Sequence, residues 1–248
     1  VDEVTFDGHD AASLASRLGL PRCLLHERVA STMDAAHAAA SDGAPAGTLV
    51  LANAQDAGRG RGGKRWTSPP GGGLWMTLIE RPASPRGLEV LSLRIGLHVA
   101  EALDALAERP ITLKWPNDLQ VGGAKLGGIL VEARWRDVRV EWVAIGIGVN
   151  VRTPEDVEAA TGLRVGTSRL DAIAHVVPAL RAAARSEGPL TTAELAAFAT
   201  RDAAAGRRVS QPADGVVRGV SASGELMVET DAGLVACRSG SLVFAENH

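Results

Sequence analysis

The sequence predicts an α+β fold: a mixed, largely antiparallel sheet flanked by helices, with a small β-barrel appended at its C-terminal end. Three features carry that expectation. Between residues 111 and 151, β-type runs follow one another across short turns, a hairpin pattern that differs from strand–helix–strand crossovers. One long stretch, 88–107, repeats its large apolar residues at helical spacing. From Arg207 to Phe244 the chain changes to short, closely spaced β-type runs separated by turn residues.

In order along the chain, residues 10–18 read as a short helix and 23–29 (CLLHERV) as a strand. Ser31 or Thr32 can N-cap an alanine-rich helix, because a side-chain oxygen there accepts from an N–H that the first turn leaves unpaired; Gly43 ends that helix. TLVLAN (48–53) is a strand, a glycine-rich loop follows, and LWMTLIE (74–80) alternates as a strand does. Leu91, Ile95, Val99, Leu103 and Leu106 form the apolar stripe of the long helix. ITLKWPNDL, a Gly122-Gly123 turn and AKLGGILVEARW read as a β-hairpin, and VRVEWVAIGIGVNV (138–151) returns after a turn at Arg136-Asp137. Helices are expected over 168–187 and 191–205. RVSQ, GVVRGVS, ELMVETD, LVACRS and SLVF then supply the barrel strands.

With 248 residues, 46% of them hydrophobic and 22% charged, the chain can bury one substantial core plus a small satellite and does not have the composition of a disordered protein. A net charge of -3 excludes general retention of nucleic acid by bulk charge, so any polyanion site must be a local concentration of cations. Cys23 and Cys237 stand far apart with no C-x-x-C spacing, which argues against a disulfide scaffold or a zinc site. The opening VDEVTFDGHD lacks the pattern of a signal peptide, and no apolar run approaches the roughly 20 residues of a membrane span. The expectation is a soluble, cytoplasmic protein with no membrane partner.

Residue usage concentrates the chemistry between 55 and 150. The chain has 23 arginines but only three lysines, Lys64, Lys114 and Lys125, and these fall in the same region as all five tryptophans and Asn117 and Asn150. In so arginine-biased a chain, a lysine marks a place suited to a compact, mobile ammonium. The loop AGRGRGGKRW (57–66) matches G-x-G-x-x-G and the first seven positions of the P-loop. Both matches fail in context. Arg65 stands where a P-loop needs Ser or Thr for magnesium, and WTSPPGGG cannot form the helix whose N-terminus would face phosphate. The acidic net charge also disfavours an RNA-touching RG patch. A solvated surface turn and an anion clamp remain. Arg59, Arg61, Lys64 and Arg65 crowd four cations into seven residues, and each close pair repels by about 1 kcal/mol even in water. The glycines should hold this loop open and splayed until an anion draws it closed through charge-assisted hydrogen bonds.

KWPNDL (114–119), KLGGILVE (125–132) and GIGVN (146–150), together with Gln55, GRGRGGKRW and the Ser31-Thr32 pair, resemble in identity and order the biotin–protein ligases. The likeness is close over 31–150, and the C-terminal β-rich segment is similar to that family's small SH3-like domain. The resemblance implies a core like that of the class II aminoacyl-tRNA synthetases, with a catalytic domain over 1–204 and an SH3-like domain over 205–248. It also implies a two-step reaction. Biotin and ATP form biotinyl-5'-adenylate and pyrophosphate; the biotinyl group then passes to a lysine of the biotin carboxyl carrier protein of acetyl-CoA carboxylase or a related carboxylase.

By the same resemblance, Lys125 and Arg61 are catalytic, with Lys125 contacting carboxylate and phosphoryl oxygens. Biotin is implied to lie against Ser31, Thr32, Gln55, Gly58, Arg59, Gly60, Arg61, Lys125, Gly128 and Gly146. ATP and the adenylate are implied to meet Arg61, Lys64, Trp66, Asn117, Asp118, Lys125 and Asn150. Lys114 and Trp115 take supporting roles. Magnesium is carried by the phosphates, since no carboxylate cage is visible and no metal site is expected. The residue chemistry agrees, because joining a carboxylate to a triphosphate requires cations that neutralise both. Without the resemblance, Lys125 reads as a surface hairpin lysine, Trp66 as core, and Ser31 and Thr32 as helix caps.

Two departures stand out. Met33 occupies a position where the family usually has Asn, and Gly62, Gly63 and Lys64 replace a more arginine-rich run. Lys64 can neutralise phosphate but cannot grip it with two parallel hydrogen bonds, so weaker or differently ordered closure is expected. Family members that double as repressors carry an N-terminal winged helix-turn-helix. The 30 residues before Ser31 are neither basic nor long enough for one, so the expectation is a monofunctional ligase without a DNA partner, a monomer or weak homodimer. Lipoate–protein ligases and octanoyltransferases of the same fold are the first alternative, and a non-catalytic ATP- or RNA-binding module is the second.

Overall fold

The structure is a computed structural model and describes residues 3–245. The elements run α1 (Ala11–Arg17), β1 (Arg22–Val29), α2 (Thr32–Ser41), β2 (Thr48–Gln55), β3 (Gly73–Glu80), α3 (Leu91–Leu103), β4 (Thr112–Lys114), β5 (Asp118–Val121), β6 (Ala124–Arg136), β7 (Arg139–Asn150), α4 (Arg169–Ala184) and α5 (Thr192–Arg201). Five short strands follow: β8 (Arg208–Gln211), β9 (Gly215–Val220), β10 (Leu226–Thr230), β11 (Gly233–Cys237) and β12 (Val243–Phe244). No helix among the described residues is long and apolar enough to cross a membrane.

The large sheet has the order β1-β2-β3-β7-β6-β5-β4. Only β1 and β2 pair in parallel, and α2 provides the crossover that a parallel pair needs. The rest is antiparallel, as the successive hairpins predict. Helices cover both faces. Leu49, Leu51 and Leu78 join the main core beneath α3 and α4, whereas Val50 and Ile79 pack with Ala36 and Ala40 of α2 and with Trp142. The strands β2 and β3 are therefore buried almost throughout, and the alternation in LWMTLIE separates two cores, not core from solvent.

Several sequence expectations need correction. ITLKWPNDL is not one β-run: Pro116 has no N–H for a ladder, and the chain turns back so that Lys114 pairs with Asp118. The long helix begins at Leu91, after a turn over 85–90, and tightens into a 3-10 turn at Asp104–Leu106. The helices α4 and α5 are shorter than expected and begin at capping boxes on Ser168 and Thr191. The C-terminal strands form an open antiparallel sheet, β11-β10-β9-β8-β12. Its edge strands do not pair with each other among the described residues, so the expected closed barrel is not formed. The two-residue β12 and the exposed β11 offer too little ladder to close it.

The small sheet is fastened to the large one. Val209, Val217, Leu226 and Val228 share the main core with Leu113 and Phe198. The indole of Trp115 donates to the Gly224 carbonyl at 3.0 Å, and Leu190 N–H donates to Ala222 at 2.8 Å. This docking carries residues 240–243 to the mouth of the cleft described next.

Candidate active site

A cleft of about 620 Å³ opens over β3, β7 and β6, between the start of α2, the 59–66 loop, the turn joining β4 to β5, and residues 240–243. Its floor is stripped of side chains. Gly146 and Gly148 fall two residues apart on β7 and so face the same way, and Gly148 pairs with Gly128 on β6. The indole of Trp66 lies on this floor: a Cβ at position 148 would stand 2.5 Å from its Cε2 and Nε1. Trp66 meets Trp75 edge-on at 6.4 Å, and its Nε1 is buried without a hydrogen-bond partner among the described residues.

The inner end of the cleft is neutral and tightly hydrogen-bonded. Thr77 Oγ1 donates to Thr32 Oγ1 at 3.0 Å, Thr32 Oγ1 donates to Gln55 Oε1 at 3.1 Å, and Gln55 Nε2 donates to Ser68 Oγ at 2.8 Å. Thr32 N–H also donates to Gln55 Oε1, at 2.8 Å. Ser31 is the N-cap of α2, its hydroxyl accepting from Met33 N–H. Buried Met33 packs against Gly146, where a Cβ would come within 2.7 Å of its methyl. A thioether thus stands where a carboxamide would have offered a hydrogen bond.

The outer end carries charge. Lys125 Nζ lies 2.7 Å from Asp118 Oδ1 and 5.3 Å from the Trp66 ring centre. The Lys125 backbone is pinned by hydrogen bonds to Ala159 O and from Thr161 N–H. Arg61 is half-buried and has no carboxylate partner among the described residues; burial pulls its pKa below the ordinary arginine value, with Asp118 acting in the opposite direction. Lys114, with its ammonium 5.3 Å from the Phe244 ring, is also pulled down, first by burial and then by repulsion from Lys125, Lys64 and Arg207 against the attraction of Asp118. Among the described residues, Arg61, Lys64, Lys114 and Lys125 therefore face a single carboxylate, Asp118, along the wall of this cleft. An anion entering here would relieve that imbalance.

The glycine loop differs from the splayed clamp expected of it. Gly60 N–H donates to Lys64 O at 2.7 Å and Trp66 N–H to Gly58 O at 2.8 Å, closing a hairpin around a 3-10 turn. Gly62 and Gly63 take φ of 64° and 74° there, left-handed values that glycine adopts without strain. Two of the four cations are already engaged by groups of the protein. Arg59 is held by Asp34 and Glu132, and Arg65 donates to Asp56 O at 2.6 Å. The acids missing from the loop's own sequence arrive from α2 and β6.

Of the residues singled out by sequence, Ser31, Thr32, Gln55, Arg59, Gly60, Arg61, Lys64, Trp66, Asn117, Asp118, Lys125, Gly128 and Gly146 line this one cleft. Gly58 and Asn150 do not. A Cβ on Gly58 would strike Trp66 O at 2.5 Å, so its part is to let the loop cross itself. Asn150 donates from Nδ2 to Thr161 O at 3.0 Å and to Lys125 O at 3.4 Å, bracing the backbone behind Lys125. Asn117 lines the cleft while its side-chain N–H donates to Ile129 O at 2.8 Å. Sequence reasoning missed Thr77, Ser68 and residues 240–243. Thr77 did leave a signal, as a lone hydroxyl in an apolar strand.

Residues 25–150, just over half of the chain, match the biotin/lipoate A/B protein ligase family. The chain belongs to that family. All the sequence-predicted site residues lie within this family span. Over 129 residues the chain is 43% identical to the bifunctional ligase/repressor BirA of Bacillus spizizenii, a match covering 52% of this chain and 40% of that protein. It is 40% identical over 114 residues to the biotin--[acetyl-CoA-carboxylase] ligase of Paracoccus denitrificans, covering 44% and 47% respectively. The chain thus spans less than half the length of these curated relatives. In fold it is similar to the biotin protein ligase from Aquifex aeolicus in complex with biotin and ATP, with a TM-score of 0.74 over 91% of this chain and 99% of that one. The biotin protein ligase from Leishmania major in complex with biotinyl-5-AMP follows at a TM-score of 0.60. Both are 24% identical to this chain, so each likeness speaks for the fold.

Proposed function

We propose that this family member is a biotin–protein ligase, which activates biotin with ATP and passes it to a lysine of a biotin carboxyl carrier protein. The observation that carries the reading is the division of the cleft. A neutral, hydrogen-bonding inner end suits the uncharged ureido ring of biotin, and a cation-rich outer end suits its carboxylate beside a triphosphate. In the first step a carboxylate oxygen attacks the α-phosphorus; a carbon–oxygen–phosphorus anhydride forms, the bond to the β-phosphate oxygen breaks, and pyrophosphate leaves. In the second, the neutral ε-amine of the acceptor lysine attacks the acyl carbon, an amide forms, AMP departs and the amine gives up a proton.

Lys125 and Arg61 hold the two reacting anions together and offset the charge that grows on the phosphorus oxygens. Asp118 keeps the Lys125 ammonium aimed across Trp66, while Lys64 and Lys114 receive the outer phosphates. Magnesium arrives with the triphosphate as part of that substrate. The division into a catalytic unit over 1–204 and a small SH3-like unit over 205–248 belongs to the same reading, supported by the two separate sheets. So does action in a reducing cytoplasm, supported by two free, buried cysteines. We likewise retain a monomer or weak homodimer.

The Thr77–Thr32–Gln55–Ser68 chain favours biotin over lipoate, because the hydrogen-bonding capacity it keeps to spare, such as the second N–H of Gln55 Nε2, is met by a ureido ring and left unpaired by an apolar dithiolane. The test is intact-mass analysis of a carrier domain incubated with this chain, ATP and either biotin or lipoate. One biotinyl adduct, on one lysine and dependent on ATP, is the expected result. A lipoyl adduct, or none, overturns the proposal.

A further inference from the structure

Two arginines of the loop, two residues apart, have opposite surroundings. Arg61 lines the cleft without a carboxylate partner among the described residues, whereas Arg59 bridges Asp34 on α2 and Glu132 on β6. The second carboxylate is itself anchored. Glu132 Oε2 lies 3.0 Å from His37 Nε2, and His37 Nδ1 lies 3.0 Å from the indole Nε1 of Trp142. An indole N–H can only donate, so His37 Nδ1 accepts and the ring proton on Nε2 points to Glu132. Trp142 is buried in the small core under α2, with the Arg81 guanidinium 5.7 Å from its ring.

We propose that Asp34, Glu132, His37 and Trp142 form a latch that grips Arg59 and so holds the 58–66 loop closed over the cleft. None of the four lines the cleft; they act through Arg59, as positioning residues. A single ion pair at this degree of exposure would hold little. Here a planar guanidinium reaches two carboxylates at once, and one of them is backed by a hydrogen-bond chain ending on a buried ring. The latch also joins three walls of the site. The helix α2 carries Ser31 to Met33 on its first turn, β6 carries Gly128 to Leu130, and the loop carries Arg61 and Trp66. Resting on the reading that this cleft holds an acyl-adenylate, the latch governs how long that reactive intermediate is retained: Arg61 stays over it while Arg59 stays gripped.

The test measures hydrogen exchange of the loop amides, including those of Gly60 and Trp66, alongside release of pre-bound biotinyl-5'-adenylate. Both are followed in the parent, Glu132→Gln, Asp34→Asn, Arg59→Ala and Arg59→Lys. Losing one charge-assisted contact in Glu132→Gln, or both in Arg59→Ala, should speed loop exchange and adenylate release by about tenfold or more. Arg59→Lys should fall between these and the parent, since an ammonium cannot span both carboxylates. Amides of β3 and β7 that keep the parent's protection show that the fold is intact. If Glu132→Gln unfolds the sheet, the exposed Asp34→Asn decides the matter by the same loop amides. Loop exchange at the parent's rate in Glu132→Gln, Asp34→Asn and Arg59→Ala would overturn the latch. Faster loop exchange in a chain that binds no adenylate would uphold the latch and refute the proposed reaction.

Discussion

The two ends of the cleft handle polarity in opposite ways. At the inner end every named side-chain contact is between neutral groups, each donor meeting an acceptor in the sequence Thr77, Thr32, Gln55, Ser68. At the outer end Arg61, Lys64, Lys114 and Lys125 share one acid among the described residues, Asp118. A neutral network with donors and acceptors to spare, such as the second N–H of Gln55, discriminates by what a ligand would leave unpaired. An unsaturated cationic one attracts any anion of suitable size and contributes most where charge develops during reaction. Selectivity should therefore reside inside and rate outside, and substitutions at the two ends should separate KM from kcat.

The largest effect is expected from Arg61→Ala, which removes a cation with no carboxylate partner to orphan among the described residues: kcat for adenylation should fall by about a hundredfold, as for loss of one transition-state donor. Single-turnover kinetics with saturating biotin and ATP reads it directly. Thr32→Val breaks the inner chain in its middle and should weaken biotin binding by roughly tenfold, with kcat little changed; calorimetric titration checks this. Lys64→Arg should be milder still, a gain of about twofold to threefold in adenylate retention from a second parallel hydrogen bond. No gain would count against Lys64 as a phosphate contact. The smallest effect concerns pH. Burial lowers the pKa of Lys114, so its ammonium is lost at a lower pH than that of a free lysine. Nucleotide affinity should decline correspondingly early as the solution is made alkaline, and Lys114→Arg should move that decline to higher pH.

Much of the fold was legible because local periodicity and turn chemistry decide it: the hairpin of β6 and β7 turns at Asp137, and Ser31 caps α2. The lysines and glycines of the site were legible because the chain uses them sparingly or at alternate positions. Electrostatic partnership was not. Arg59 meets acids 25 and 73 residues away, which a count of charges within the loop cannot register. Asn150 reads as a ligand contact by its place in GIGVN, yet it braces Thr161 and Lys125. Barrel closure depends on whether distant edges meet, and that is not written in the turn spacing of any one strand.

The central claim is that the cationic end of this cleft activates the carboxylate of a biotin bound at the neutral end. Exchange of labelled pyrophosphate into ATP tests it most directly, measured with and without biotin in the parent and in Lys125→Ala. The account predicts exchange that requires biotin in the parent and falls by about a hundredfold in the variant, as for Arg61→Ala. Exchange that proceeds without biotin, or that survives the loss of Lys125, would contradict it.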